Sequence, residues 1–173
     1  MDTLGGLAFA GEPPLERYMR EPVKSREESI LSRAMLHQIF ISGGFTLLLC
    51  ATFLITPHFR ESYLFYESKL TYLTCFFVLF IFCGVANCFN VRSGRLNPLA
   101  DIRSNPLFCV LMLFICLVQT VMVYFGGEVF RTTPLAPSLL FSVIGLALLV
   151  IPFDLVRKIF YKLRRRKTKK SVY

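Results

Sequence analysis

The sequence has no tryptophan, only two histidines, and 11 Asp and Glu against 20 Lys and Arg. His37 and His58 are separated by a whole apolar stretch, so neither suggests a metal site. The cysteines Cys50, Cys75, Cys83, Cys88, Cys109 and Cys116 all fall inside apolar runs. None has zinc-ligand spacing or a histidine in a ligand pattern, and buried free cysteine behaves as a small hydrophobe. There is no phosphate-binding Gly-rich loop and no soluble block large enough to bind a nucleotide. Residues 1–35 lack a basic segment followed by an apolar core and cleavage site, so no secretory signal is read there. No internal repeat aligns the apolar segments into the inverted pattern of secondary transporters.

What is present is hydrophobic. Of 173 residues 54% are apolar, eighteen of them Phe, and they gather in long blocks. That distribution argues for helices facing lipid and one another rather than a globular core. Net charge is +9, but much of it is concentrated between Arg157 and Lys170. A basic run beside an apolar span is a cytoplasmic anchor to anionic lipid, so the charge does not call for nucleic acid.

Complete spans are predicted at about 36–56, 70–89, 107–125 and 138–156. Ser42-Gly43-Gly44 offers the first span a close approach or a bend. Pro57 ends that span, Pro106 opens the third, Gly126-Gly127 closes it, and Pro152 bends the fourth near its end. Ser25 and Glu28 resemble a capping box ahead of the first span, and Tyr63, Phe65 and Tyr66 suit a membrane interface. Loop charge sets the topology. Arg17, Arg20, Lys24, Arg26, Arg33, Arg92, Arg95, Arg103 and the tail lie on one side, against Arg60, Lys69 and Arg131 on the other. The positive-inside rule makes the first group cytoplasmic, with both termini inside.

The first fourteen residues stand apart. Asp2 precedes a small, apolar run to Ala10, and Gly11-Glu12-Pro13-Pro14 ends it. That is too short to cross a bilayer, which takes about 20 residues. It reads as half of a membrane helix with an acid at the depth where transporters handle ions. The fold class expected is all-α membrane protein, four transmembrane helices preceded by a partial N-terminal half-helix. Residues 1–14 form the half-helix, 15–35 a cytoplasmic linker, 36–156 the four-helix module and 157–173 the basic tail.

Asp2-Thr3 with Leu4, Ala8 and Ala10, followed by Glu12-Pro13-Pro14, resembles the sixth membrane helix of calcium-transporting P-type ATPases, particularly the plasma-membrane type. The resemblance continues through Ile30-Leu31-Ser32-Arg33, Phe89-Asn90-Val91-Arg92, Arg103-Ser104-Asn105-Pro106, Gln119 with Tyr124-Phe125-Gly126-Gly127, and Ile151-Pro152-Phe153-Asp154. It implies the C-terminal membrane module of such a pump, supporting the ion-translocation helices, from a truncated or split gene and not competent for transport alone. Asp2 falls on the family's cation-ligating Asp, whose companion Asn would lie upstream of Met1. The family's eighth helix carries Glu or Gln three residues before an Asn. Here Asn87 matches the Asn but Gly84 stands at the other position, which implies one cation site rather than two. The Asp-Lys-Thr-Gly loop that carries the nucleophilic Asp is absent from this chain, so no ATP hydrolysis is expected of it alone. The resemblance implies no cofactor in this chain, with calcium as transported ion and magnesium-ATP needed only by the complete pump. Calcium and manganese both favour oxygen ligands and are not distinguished.

Asp2 also has a plainer reading, a frayed and solvated terminal residue. Asn87 and Asn90 would hydrogen-bond a neighbouring helix, with a C-terminal cap as the alternative for Asn90. Gln119 lies mid-span, needs a partner to offset its desolvation, and reads as interhelical glue. Asp154 stands four residues before Lys158, a spacing that favours an ion pair. The expected partners are the lipid bilayer and the missing N-terminal pump portion as a separate chain. The expected location is the plasma membrane, multi-pass. The alternative is a stand-alone four-span binding or regulatory subunit. A small secondary transporter is a weaker third, since few polar groups converge at mid-span.

Overall fold

The computed structural model describes residues 2–13, 33–56, 61, 69–92, 96–99 and 102–170. The capping box at Ser25, the aromatic loop at Tyr63 to Tyr66 and most of the 15–35 linker lie outside the described residues.

The described residues form helices and no strands. They are α1 (Asp2–Ala10), α2 (Arg33–Ile55), α3 (Lys69–Arg92), α4 (Pro106–Phe125), the single turn α5 (Gly127–Phe130), α6 (Pro137–Ala147) and α7 (Val150–Lys170), with a short 3-10 helix at Ile102–Ser104 ahead of α4. Four segments are long and apolar enough to cross a membrane: α2 from Met35, α3, α4, and α6 with α7 to Leu163. A rise of about 1.5 Å per residue makes each of these roughly 30 Å or more. Helix α1, at nine residues, reaches about 13 Å, less than half a bilayer core.

Large apolar side chains face outward along the spans. Phe40, Leu47, Leu113 and Phe141 are each 70% or more exposed. In water such surface would drive aggregation; in lipid it is the solvated face. The protein is a multi-pass membrane protein.

Helix α3 is the hub, packing against α2, α4, α6 and α7. One buried cluster joins Phe53 of α2, Tyr72, Val78 and Leu79 of α3, Val123 of α4, Val143 of α6 and Val150 of α7. The Tyr72 hydroxyl donates to the Phe53 carbonyl at 2.6 Å, which ties the end of α2 to the start of α3. A second cluster, Ala8, Val85, Phe108, Met112 and Ile115, seats α1 against both α3 and α4.

Local signals place the helix ends. Asn105 caps α4, its Oδ1 accepting from the Phe108 amide at 3.0 Å, with Pro106 at the first helical position, where its missing N–H costs nothing. At the far end Gly127 takes φ +45°, a conformation that favours glycine, and starts the reversal into α5.

Two expectations are corrected. The fourth span does not bend at its end. It breaks at Leu148 and Leu149, and α7 then runs on to Lys170. Proline acts one turn upstream. Pro152 has no N–H for the Leu148 carbonyl, which accepts instead from the Ile151 amide at 3.0 Å. The glycines of Ser42-Gly43-Gly44 do not bring another helix close among the described residues, since a Cβ at either would meet nothing within 4 Å. Ser42 makes the contact: it is buried, facing α7.

Candidate functional site

Asp2 is the first residue of α1, about 9 Å along the helix axis from Ala8. What holds this short helix is a polar clamp at its other end. After Ala10 the chain closes with Gly11 N donating to the Leu7 carbonyl and Glu12 N to that of Phe9. This turn delivers the Glu12 carboxylate to Arg92, the last residue of α3, with Nε 3.1 Å from Oε2. The same oxygen accepts from Asn105 Nδ2 at 2.8 Å, and that nitrogen also donates to the Ala8 carbonyl at 3.1 Å.

Asn105 therefore does two tasks with one amide, its oxygen capping α4 and its nitrogen holding the end of α1. The Arg92 side chain is 1% exposed. Its guanidinium lies 5.2 Å from the centre of the Phe108 ring, which is in turn edge-on to Phe89 and tilted against Phe9. A buried cation is stabilised here by a carboxylate and an aromatic face together. Three chain-distant pieces, α1, α3 and α4, are locked at one level.

A second network lies where α2, α3 and α7 meet. Asp154 is fully buried, and Arg157 Nε donates to its Oδ1 at 2.7 Å. Lys158 Nζ sits 2.9 Å from Oδ2, the pair the i,i+4 spacing predicts. The Ser42 hydroxyl donates to Oδ1 at 3.4 Å. Lys158 also donates to the Asn90 carbonyl at 2.8 Å, and Asn90 Nδ2 donates to the Val150 carbonyl at 3.1 Å. Asn90 is thus an interhelical donor to the first residue of α7.

Gln119 is 4% exposed, but its Nε2 has no hydrogen-bond partner among the described residues. The interhelical bond its mid-span position suggests is not made among the described residues. Asn87 Oδ1 is likewise shut off from solvent without a partner among them. Among the described residues no three His, Cys, Asp or Glu side chains converge as a metal site. Calcium takes six to eight oxygens, so a single carboxylate such as that of Asp2 does not make a site by itself.

Sequence reasoning missed Glu12, Arg92 and Asn105 as a unit. The one signal was an acid before two prolines, which read as a helix stop and said nothing of its partner.

The family described as cation transporting ATPase, C-terminus, matches residues 1–160. A plasma membrane-type calcium-transporting ATPase of rice, Oryza sativa subsp. japonica, is 34% identical over 140 residues, 80% of this chain and 14% of the relative. Plasma membrane calcium-transporting ATPase 3 of Homo sapiens is 30% identical over 145 residues, 79% of this chain and 12% of the relative. Calcium-transporting ATPase PAT1 of Dictyostelium discoideum is 29% identical over 144 residues, 78% of this chain and 13% of the relative. The chain spans between 12% and 14% of the length of these relatives.

Proposed function

The chain belongs to the cation-transporting ATPase C-terminus family, and on that premise we propose that it supports the ion-carrying helix of a calcium pump, with Asp2 as one cation ligand. The observation that carries this reading is the clamp. Glu12, Arg92 and Asn105 fix α1 against α3 and α4, and Asp2 heads that helix. A ligand on a helix held from a rigid bundle keeps its place when other groups move. Calcium is the ion because the relatives are named calcium-transporting ATPases and the residue offered is a carboxylate.

Both termini face the cytosol in this reading, supported by the excess of Lys and Arg in the 11–35 segment, the 90–105 loop and the tail. Nucleotide binding and phosphoryl transfer belong to domains that another part of a pump supplies, and no step is assigned to residues of this chain.

The test is complementation. The chain is exchanged for the matching C-terminal region of a plasma membrane-type calcium pump, and calcium-dependent phosphoenzyme is measured in membranes. Formation of phosphoenzyme supports the module. A correctly inserted chimera that forms none under any calcium concentration contradicts it.

A further inference from the structure

Helix α2 is the least buried of the four spans, and its buried side chains Ser42, Cys50 and Phe53 each face a neighbour. Ser42 reaches Asp154 of α7, and the Phe53 ring stacks on Tyr72 of α3 with 5.3 Å between ring centres. Cys50 lies one turn before Phe53 and so shares its face. On α3, Cys83 belongs to the buried cluster with Phe53, Val78, Leu79 and Ala86. The Cys50 and Cys83 side chains hydrogen-bond one another across the α2–α3 interface. Both are free thiols.

One buried thiol packs as a small hydrophobe, whereas two in contact are a bidentate sulfur ligand. The surroundings then select what the pair can hold. Among the described residues no third His, Cys, Asp or Glu joins a metal-binding group, so a four-coordinate zinc ion would lack half its ligands. Copper(I) held by two thiolates would leave a net negative charge in an apolar core, where uncompensated charge is costly. Trivalent arsenic meets both limits. It bonds two sulfurs at neighbouring corners of one pyramid, the arrangement of two thiols in contact, and its reagent and product are both uncharged.

We propose that Cys50 and Cys83 form a dithiol site for a neutral trivalent arsenical, which bridges α2 to α3. An organoarsenic oxide reacts there with no change of oxidation state. Two As–S bonds form, the As=O bond breaks, and the two thiol protons leave with the oxygen as water. The bridge adds a covalent tie to the Tyr72 to Phe53 hydrogen bond and fastens the least buried span to the hub helix. A monothiol competes poorly with such a chelate, because each of its molecules supplies one sulfur while the bundle holds two in place.

Intact-mass spectrometry of the full chain in micelles, with phenylarsine oxide as the probe, reads the site. The expected product is one adduct per chain that survives excess mercaptoethanol and is removed by dimercaptopropanol. Tandem mass spectrometry of its digest should place the arsenic between the segments that carry Cys50 and Cys83. Cys50→Ala and Cys83→Ala should each lose the monothiol-resistant adduct. A quadruple variant with Cys75→Ala, Cys88→Ala, Cys109→Ala and Cys116→Ala should keep it. Absence of the adduct from the parent chain, a bridge between any other pair of cysteines, its persistence in Cys50→Ala or Cys83→Ala, or its loss in a quadruple variant that inserts as the parent does would each overturn the assignment.

Discussion

Arg92 and Glu12, eighty residues apart in the chain, meet with Nε 3.1 Å from Oε2, and Asn105 shares the same carboxylate oxygen. No other ion pair among the described residues ties α1 to the bundle. Removing the carboxylate with Glu12→Ala takes one counter-charge from a buried guanidinium, a loss of up to about 3 kcal/mol for a pair broken on one side. Glu12 is 29% exposed, so water recovers part of this and the expected cost is about 1–2 kcal/mol. Glu12→Gln keeps an acceptor for Asn105 and should cost less. Denaturant titration of the chain in micelles gives the order, and Gln costing as much as Ala would contradict the shared-oxygen geometry.

Asp154 should be the more sensitive position. It is fully buried with two cations against it, so Asp154→Ala removes the carboxylate that Arg157 and Lys158 share. The expected loss is about 3–5 kcal/mol, larger than for any single change at Glu12. The same titration reads it. A cost below that of Glu12→Ala would show that the network is more solvated than its burial implies.

Gln119 reverses the usual expectation for a buried amide. Its Nε2 is enclosed without a partner among the described residues. Gln119→Leu removes a desolvated polar group at little change of volume, so it should be neutral or stabilise by about 1 kcal/mol. A clear loss of stability would mean that the amide has a partner after all.

Orientation is open to labelling. Single cysteines at Glu128 and Leu96, both exposed, are placed in a background whose native cysteines are replaced. An impermeant maleimide should reach position 128 from outside intact cells and position 96 only after permeabilisation. Labelling of position 96 from outside would invert the topology argued from loop charge.

The four spans were legible because a bilayer demands long apolar blocks, and the blocks from Leu36, Leu70, Leu107 and Ser138 stand out against charged loops. Asp154 with Lys158 was legible for a local reason, since four residues make one helical turn. Arg157 joined them only in three dimensions. The break at Leu148 and Leu149 was misplaced toward Pro152 because a proline disturbs the carbonyl four residues before it. Gly43 and Gly44 suggested a close contact, but the pattern cannot say which side of a uniformly apolar helix meets a neighbour. Ser42, the polar residue beside them, was the true contact. The clamp was illegible for a deeper reason. Nothing in the spacing of Glu12, Arg92 and Asn105 encodes their meeting, which follows from how α1 lies between α3 and α4.

The role of Asp2 is tested most directly by calcium-dependent phosphoenzyme formation in a pump that contains this chain, comparing Asp2→Asn with Gly84→Ala. Loss of one carboxylate from an oxygen site should raise the calcium concentration for half-maximal phosphoenzyme by about tenfold or more. Gly84 has no side chain to ligate, so Gly84→Ala should leave that concentration near the parent value. A calcium dependence unchanged by Asp2→Asn, in protein that inserts and phosphorylates normally, would contradict the ligand role and leave this chain a structural module alone.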